Sequence, residues 1–441
     1  MKMRKAAAIA LSAALFLGLF GCSGESAEDF YALPKLTDTY VGLQVQITAL
    51  LETGAEYSAP ASGQNRQSVQ MEDLDGDGVR EALAFLRAPG DGGPRVYVFR
   101  YNNGMYERSC VLVGSGTGFE SVGYVDMDGS GAKYLAVGCS TDSGMNLLTL
   151  YDMKALAGRA AMVTGYNRFV TADLDGDGRT ELVTFTLSSG ENDGAAVCYS
   201  LGKDGELTST AAPISSGARN LRRVRSAVLR DGTAALFAES TMGTRLVTDI
   251  FCTGPEGIRN ITLDETIGAS NTFRSSSLWS RDIDGDGVLD VPRNEQLPMV
   301  YGTSGIYDIV YWSDYDSLGQ SRAVEATYIN SADSWFFVFP EEWLGNVTVH
   351  RQDSVGGERA VIFSFLDRRN EAVDFLKIYT LTGDNREERA AAAGRFVLRR
   401  QDEKVFAAEI TARPEGFQAE REQVEQSFNI LYSEWMTGEV G

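Results

Sequence analysis

The sequence predicts a mainly β fold, a β-propeller of five to seven blades followed by a small α+β C-terminal domain, and three observations lead to this prediction. An acidic motif returns along the chain at a nearly regular interval. Runs rich in β-branched and aromatic residues stand before and after the copies. About four such runs fall into each interval, as one propeller blade requires. A period of about fifty residues indicates a solenoid, propeller or array. Closure of the ring would remove exposed sheet edges.

The size and charge of the chain limit its possible partners. With 441 residues it can form two domains and a sizeable core. Its 40 basic and 61 acidic residues give a net charge of -21. This charge argues against nucleic acid and against electrostatic docking on anionic lipid, because both need a basic surface. It suits a soluble surface and a chain that collects divalent cations.

The N-terminus is typical of a lipoprotein signal peptide, which we predict over residues 1–21. A basic start precedes an apolar run that is too short to span a bilayer comfortably. Leu at position -3 and Gly at -1 before Cys22 resemble the lipobox of bacterial lipoproteins. The resemblance implies cleavage before Cys22 and its lipidation, with residues 22–35 as a tether; the alternative is an ordinary secretory signal. We expect an exported protein that its lipid holds on the outer face of the cell membrane.

A helix is predicted next, at the start of the segment 36–327 that also contains the repeats. Between Leu36 and Leu51, apolar residues recur at i, i+4, i+7, i+11 and i+14, which is one face of a helix. We expect this face to pack on the propeller.

The single histidine and the cysteines restrict the possible chemistry. With His350 alone, most zinc sites and most Ser–His or Cys–His mechanisms are unavailable, and the alternating run around His350 predicts a surface strand. The cysteines after Cys22 form no CxxC pair and lie in or beside apolar runs, which favours buried free thiols. An exported chain permits disulfides, and spacing does not decide the pairing. These residues are Cys110, Cys139, Cys198 and Cys252.

The acidic motif has three full copies, which begin at Asp73, Asp173 and Asp282. A weaker copy begins at Asp126, so the successive starts are 53, 47 and 109 residues apart. The last interval is about twice the others and predicts a degenerate unit inside it. The stretch from Ser226 fits, since it keeps the apolar flanks without the acidic residues.

Each full copy offers the ligands of a hard cation. Carboxylates stand at positions 1, 3, 5 and 9, glycines at 4 and 6 allow a tight wrap, and position 7 can offer its carbonyl. Such an all-oxygen shell of about six ligands suits calcium, whereas magnesium prefers fewer carboxylates and more water. The predicted ligands are Asp73, Asp75, Asp77, Val79 and Glu81; Asp173, Asp175, Asp177, Arg179 and Glu181; and Asp282, Asp284, Asp286, Val288 and Asp290.

The weaker copy departs from this pattern. It keeps Asp126, Asp128 and Ser130 but has Tyr134 at position 9. We therefore expect weak metal binding there, or none. For any single copy the alternative is a solvated acidic turn, but three full copies at a shared period count against it.

An EF-hand is excluded as the source of the motif. Its loop needs a Glu at position 12, where this chain has Ala84, Thr184 and Arg293, and it needs flanking helices. The motif resembles the FG-GAP or VCBS repeats, β-propeller units also found in the integrin α head. The resemblance covers about residues 65–295 and rests on the loop and the period, because the FG and GAP dipeptides are not clearly present. It implies a calcium ion in each complete loop, between two strands of one blade, and it carries no implication of catalysis.

The repeat pattern stops at about residue 328, and we predict an α+β domain over 328–441 with a helix over residues 416–435. This part vaguely resembles C-terminal modules of lipoproteins from Gram-positive anaerobes. Trp335 and Trp343 belong to its densest aromatic group. If they are exposed, they could stack on a sugar or hold a peptide. The alternative is that their side chains pack in the hydrophobic core.

Three functions are compatible with these features. The first is a non-catalytic binding or scaffold module for a protein or glycan. The second is an extracellular polysaccharide-active enzyme, a lyase or hydrolase, and the third is a purely structural role in the envelope. We expect no enzyme, because the obvious carboxylates belong to the ion loops and the sequence locates no basic residue in a cleft.

Overall fold

The computed structural model describes residues 38–431, apart from residues 91, 189–192, 203, 275–277, 300–304, 354–356, 368, 370, 414–416 and 418. The predicted signal peptide, Cys22 and tether lie outside this range. In the described part, no helix is long and apolar enough to cross a membrane.

The chain is mainly β and folds into successive antiparallel sheets of four or five strands. The first contains β1 (Glu56–Tyr57), β2 (Val69–Glu72), β3 (Glu81–Arg87), β4 (Pro94–Asn102) and β5 (Met105–Val113). The second contains β6 (Gly118–Val125), β7 (Tyr134–Ser140), β8 (Asn146–Asp152) and β9 (Arg159–Tyr166). The third contains β10 (Arg168–Ala172), β11 (Glu181–Thr186), β12 (Ala195–Leu201) and β13 (Leu207–Pro213).

The later sheets follow the same order along the chain. The fourth contains β14 (Asn220–Val228), β15 (Ala234–Met242), β16 (Arg245–Gly254) and β17 (Gly257–Asn260), and a two-stranded ribbon of β18 (Leu263–Asp264) and β19 (Ala269–Ser270) follows it. The fifth contains β20 (Val291–Gln296), β21 (Asp308–Tyr315), β22 (Ser321–Asn330) and β23 (Trp335–Val338). The sixth contains β24 (Val347–Asp353), β25 (Glu358–Leu366), β26 (Ala372–Leu381), β27 (Arg395–Gln401) and β28 (Lys404–Ile410). The last strand, β29 (Phe428–Ile430), returns to the fifth sheet beside β23.

Consecutive sheets pack face to face, and each pair shares an apolar core. Between the first and second sheets, for example, the rings of Phe85 and Phe119 meet edge to face with centroids 5.2 Å apart. Similar clusters join the second to the third sheet and so on to the sixth. Four-stranded antiparallel sheets that follow one another and stack in this way are the units of a β-propeller, so the predicted mainly β, propeller-type fold is supported.

A helix covers the outer face of each terminal sheet. Helix α1 (Asp38–Glu52) buries Leu43 and Ile47 against Ala84 and its neighbours on the first sheet. This agrees with the predicted helix, of which Leu36 lies outside the described residues. The short helix α2 (Arg386–Ala390) buries Ala390 on the outer face of the sixth sheet. These two faces are therefore occupied by helices, not by one another.

The predicted boundary at residue 328 needs correction, because it falls inside β22. The fifth and sixth sheets share one aromatic core on both sides of this strand. The C-terminal part continues the series of sheets, and its helical elements are α2, the single-turn 3₁₀ helix Glu341–Trp343 and α3 (Arg421–Ser427). The predicted helix over 416–435 is thus shorter than expected within the described residues.

Trp335 and Trp343 belong to this shared core. Both indoles are 0% exposed, and Trp343 lies 4.9 Å from the ring of Phe375, centroid to centroid. A ligand at the surface cannot reach them, so the core alternative is the correct one for both residues.

The degenerate fourth unit has the expected strand–turn–strand form, β14 to β15. Its strands also hold buried ion pairs, away from the turn between β14 and β15. Buried Glu239 contacts Arg274 at 2.9 Å and Arg223 at 2.6 Å. Burial lowers the pKa of Arg274 to about 10 even with Glu239 beside it, so the guanidinium stays charged at neutral pH.

The four cysteines within the described chain carry free thiols, as the sequence favours. Cys139, Cys198 and Cys252 are buried and Cys110 is half-buried. Burial raises the pKa of Cys110 and Cys139 to about 11, which keeps both thiols protonated and unreactive at neutral pH.

Candidate metal centres

The first acidic loop, residues 73–81, joins β2 to β3 and is folded by its own carboxylates. Asp73 accepts the amide of Gly76 at 2.8 Å on one oxygen and that of Gly78 at 2.9 Å on the other. Asp77 accepts the amide of Val79 at 2.8 Å. Gly76 and Gly78 have φ of +76° and +86°, which only glycine adopts without cost, so these positions require it.

The loops at Asp173 and Asp282 repeat this geometry. Asp173 accepts the amides of Gly176 and Gly178 at 2.7 and 3.0 Å. Asp282 accepts those of Gly285 and Gly287 at 2.7 and 2.9 Å. Identical wrapping in three places shows that the motif determines the loop conformation.

Each wrapped loop brings three carboxylates together. Those at positions 1, 3 and 9 offer oxygens that all lie within 4.8 Å of one another. The groups are Asp73, Asp75 and Glu81; Asp173, Asp175 and Glu181; and Asp282, Asp284 and Asp290. Like charges at this spacing repel strongly, and a divalent cation among them removes the repulsion.

The carboxylates at position 5 and the carbonyls at position 7 do not belong to these three-carboxylate groups. Asp77, Asp177 and Asp286 lie outside the three-residue groups and accept the amide two residues later. The carbonyls of Val79, Arg179 and Val288 stay predictions as ligands.

In the first loop, the carboxylate at position 9 is the one whose hydrogen bonding is incomplete. Glu81 is 1% exposed; its Oε2 accepts the Leu74 amide at 2.8 Å, whereas its Oε1 is buried with no hydrogen-bond partner in the described structure. A buried carboxylate oxygen left unpaired is costly and needs an explanation. An ion held between Glu81, Asp73 and Asp75 supplies one.

Burial also changes the titration of the three position-9 carboxylates. Burial is the largest cause, the neighbouring loop carboxylates add to it and an amide bond from position 2 opposes it; together they raise the pKa of Glu81, Glu181 and Asp290 to about 7. A cation in the loop would stabilise the charged form and lower each pKa again.

The loop at Asp126 keeps the fold but contains lysines. Gly131 donates to Asp126 at 3.0 Å, as in the other loops. The Lys133 ammonium lies 3.7 Å from Asp126, and that of Lys154 lies 3.3 Å from Asp128. Burial opposes ionisation of Asp128, but Ser130 and Lys154 together hold its pKa below the usual value.

This second loop does not assemble the three-carboxylate group of the other loops. Tyr134 stands where they have an acid, and two ammonium groups neutralise its two aspartates. One oxygen of Asp126 is nevertheless buried without a hydrogen-bond partner in the described chain. Weak metal binding, or none, stays a prediction for this loop.

Two residues beside the loops escaped the sequence reasoning. Arg100 on β4 lies 3.2 Å from Asp75, and Glu325 on β22 lies beside the Asp282 loop. Burial, then Asp284 and Asp290, raise the pKa of Glu325 to about 7. Both residues come from later strands of the same sheet, and only their isolated charge in a strand could have marked them.

The loops are also linked to one another. The Lys133 amide donates to the carbonyl of Leu74 at 2.8 Å, and the Thr180 amide donates to the carbonyl of Asp126 at 2.8 Å. The loops of the first three sheets thus form one hydrogen-bonded row.

One serine, the single histidine and an aspartate meet in the sixth sheet, but not as a catalytic relay. Ser364 donates to Asp374 at 2.7 Å and lies 3.5 Å from Nδ1 of His350. The serine is 0% exposed and stands in the middle, whereas a nucleophile needs the histidine between serine and acid. This cluster cannot activate Ser364 toward a substrate.

Comparisons with known proteins give only distant structural likenesses. No family model matches the chain, and no curated protein has a significantly similar sequence. An exotype rhamnogalacturonan lyase, YesX, is 12% identical with a TM-score of 0.30, covering 76% of this chain and 84% of its own. The rhamnogalacturonan lyase PL11 of Bacillus licheniformis is 10% identical with a TM-score of 0.29, covering 79% and 90%.

A third solved structure scores about the same. The Dos1 propeller is 10% identical with a TM-score of 0.30, covering 80% of this chain and 81% of its own. Likenesses of this size do not bear on activity. The propeller-type description of the chain rests on its own succession of sheets.

Proposed function

We propose that the protein is an extracytoplasmic lipoprotein, anchored through Cys22, whose calcium-stabilised β-propeller serves as a non-catalytic binding or scaffold module for a protein or glycan. In this proposal the repeats are of the FG-GAP/VCBS type, and the three complete loops are calcium sites. The observation that carries the proposal is the convergence of three carboxylates, the last of them buried, at three equivalent places.

The ion's contribution is structural. Bound calcium supplies positive charge to the loop carboxylates. Glu81 and Glu181 are the first residues of β3 and β11, so carboxylates that share an ion with Asp73 or Asp173 tie the loop to the start of a strand. Neutralised loops allow consecutive sheets to pack on their apolar faces. The packed sheets then present their connecting loops to a partner.

Calcium is favoured over magnesium by the donor set. Three carboxylates close together, with further oxygens from flexible loop backbone, suit a large cation that accepts six to eight oxygens. Magnesium needs a smaller, more regular shell and retains water.

A pull-down from envelope extract, combined with a polysaccharide panel, tests this function. We expect the mature chain to retain a protein or glycan in calcium buffer and to lose it after chelation, with no change in the glycan. Asp75→Asn/Asp175→Asn/Asp284→Asn, which removes one ligand per complete loop, should bind poorly in calcium. Asp128→Asn in the second loop is the matched control and should bind normally.

The alternative, a polysaccharide-active enzyme, is decided by the same panel. Formation of shorter or unsaturated products that co-purify with the chain over several columns would replace the binding role by a lyase or hydrolase. Retention that is equal with and without calcium would instead remove the ions from the proposal.

A further inference from the structure

A basic cleft lies between the fifth and sixth sheets, away from the row of loops in the first three sheets. It has a volume of about 440 Å³, and its lining includes Arg281, Phe336, Arg399, Arg400, Gln401 and Asn429. Three guanidinium groups thus meet in one depression of a chain whose net charge is -21. Since arginine stays protonated at any physiological pH, their mutual repulsion favours an anion between them.

The fold holds these arginines in place. Arg399 and Arg400 lie on β27, the edge strand of the sixth sheet, directly after a bulge between Val397 and Arg399. A bulge redirects the side chains that follow it. Arg400 is paired with Glu387 at 3.1 Å, whereas Arg399 forms no ion pair with any described residue. The cleft therefore keeps an excess of positive charge.

The remaining lining indicates the kind of anion. Guanidinium groups bind carboxylate or phosphate through paired hydrogen bonds, and the amides of Gln401 and Asn429 can both donate to and accept from hydroxyls. Phe336, which pairs with Asn429 across β23 and β29, offers an apolar edge. Charge, hydroxyl-binding groups and a ring together suit an acidic saccharide. The volume lies in the range of small-molecule sites.

A second depression of about 470 Å³ continues the cleft toward the third complete loop. It shares Arg281, Phe336 and Asn429 with the first and adds Asp282 and Glu325. Without a cation these carboxylates repel an incoming anion. Arg281 is fixed to the same loop, since its amide and carbonyl exchange hydrogen bonds with Asp290 at 3.0 and 2.8 Å.

We propose that the cleft between the fifth and sixth sheets binds an acidic saccharide through Arg281, Arg399 and Arg400, and that it does so only when the Asp282 loop holds its ion. This inference rests on the proposed binding function and names its site and ligand class. The ion neutralises the acidic wall, and its ligand Asp290 holds Arg281 at the rim.

Titration calorimetry of the mature chain in calcium tests the site, with oligogalacturonate as the probe. Arg399→Ala/Arg400→Ala should weaken binding at least tenfold. Arg66→Ala/Arg108→Ala removes the same charge from exposed positions on or near the first sheet and should leave binding unchanged. Equal binding by both double variants would overturn the site while leaving the binding function standing.

The matched loop variants test the ion requirement. Asp284→Asn should abolish oligogalacturonate binding, whereas Asp175→Asn, at the same position of the distant third-sheet loop, should preserve it. Equal losses would show that the ions act only through overall stability, and would overturn the local coupling. Melting curves of both variants check that each is folded at the assay temperature.

Two further ligands separate the sources of the anion. A neutral oligosaccharide of the same length should not bind, and inorganic phosphate should bind more weakly than the oligosaccharide. If phosphate binds as tightly as the oligogalacturonate, the proposal that the ligand is a saccharide is wrong. If the neutral oligosaccharide binds as tightly, the proposal that the ligand is an anion is wrong. If no acidic saccharide binds but the envelope pull-down retains a calcium-dependent partner, this inference fails and the proposed function survives.

Discussion

The loops of the first and second sheets both bring carboxylates close together, but the repulsion between these carboxylates is offset in different ways. In the first, Asp73, Asp75 and Glu81 bring their oxygens together and leave one buried oxygen of Glu81 unpaired. In the second, Lys133 and Lys154 supply fixed positive charges. Arg100 lies 3.2 Å from Asp75, but no described lysine or arginine forms an ion pair with Asp73 or Glu81. In the proposed function the first loop therefore takes up an ion from solution, whereas the second carries its own cations.

This difference shows which position decides the metal requirement. Both loops wrap through the same glycine-to-aspartate hydrogen bonds, so wrapping alone does not create a site. In the proposed sites the acid at position 9 does, because it is buried and, in Glu81, one oxygen has no hydrogen-bond partner in the described structure. With Tyr134 in that place, two lysines are sufficient. In the fourth sheet the corresponding loop lacks the three-carboxylate group, and its Arg230 forms an ion pair with Asp314 at 2.7 Å.

The largest expected effect is that of chelation. Removing calcium should lower the melting temperature by on the order of 5–10 °C, since each ligand-linked site contributes a few kcal/mol at saturating ion. Asp75→Asn/Asp175→Asn/Asp284→Asn should melt near the chelated value and lose its response to EDTA. Asp128→Asn should keep the full response. Calorimetry with and without excess EDTA measures both, and superimposable wild-type transitions would contradict the ion sites.

A pH dependence of intermediate size should appear only in the ion-free chain. Glu81, Glu181 and Asp290 have a pKa raised to about 7, above the value of about 4 in an unfolded chain. The folded chain therefore binds more protons between these values, so its stability falls as pH rises from about 4 to 7.

Urea unfolding in EDTA from pH 5 to 8 measures this slope. Calcium should flatten the slope by lowering the three pKa values, and Glu81→Gln should reduce it by about a third in EDTA, since it removes one of the three groups. A slope that is unchanged in this variant would mean that other carboxylates cause it.

The smallest effect should come from the second loop. Lys154→Met removes a partly exposed ion pair and should lower the free energy of unfolding by about 0–1 kcal/mol, with or without calcium.

Lys133→Met/Tyr134→Glu/Lys154→Met removes both ammonium groups and restores the acid at position 9, so it should bind one additional calcium ion per chain. Metal analysis after dialysis counts the ions; an unchanged count would show that Ser130 at position 5 also matters.

The repeat, the loop conformation and the N-terminal helix could be predicted from sequence, because each depends on local patterns. Glycines at fixed positions determine the wrap, and apolar spacing determines α1. The continuation of the sheets past residue 328 could not be predicted, since the aromatic run from Trp335 is equally compatible with an exposed patch and with a buried strand. The position of Glu325 beside the Asp282 loop and the arginine cleft could not be predicted either, because both depend on which strands become neighbours.

The burial of the strands after the loops has a consequence for strand pairing. In β3 every residue before Arg87 is buried, and in β11 all but Thr186 are, so neither strand has a polar side. Alternation of apolar and polar residues, which normally prevents a strand from slipping by one residue, is therefore missing. Glu81 and Glu181, each the first residue of its strand, are polar markers that fit only one alignment. An ion that holds them would select the register of a strand whose side chains do not specify it.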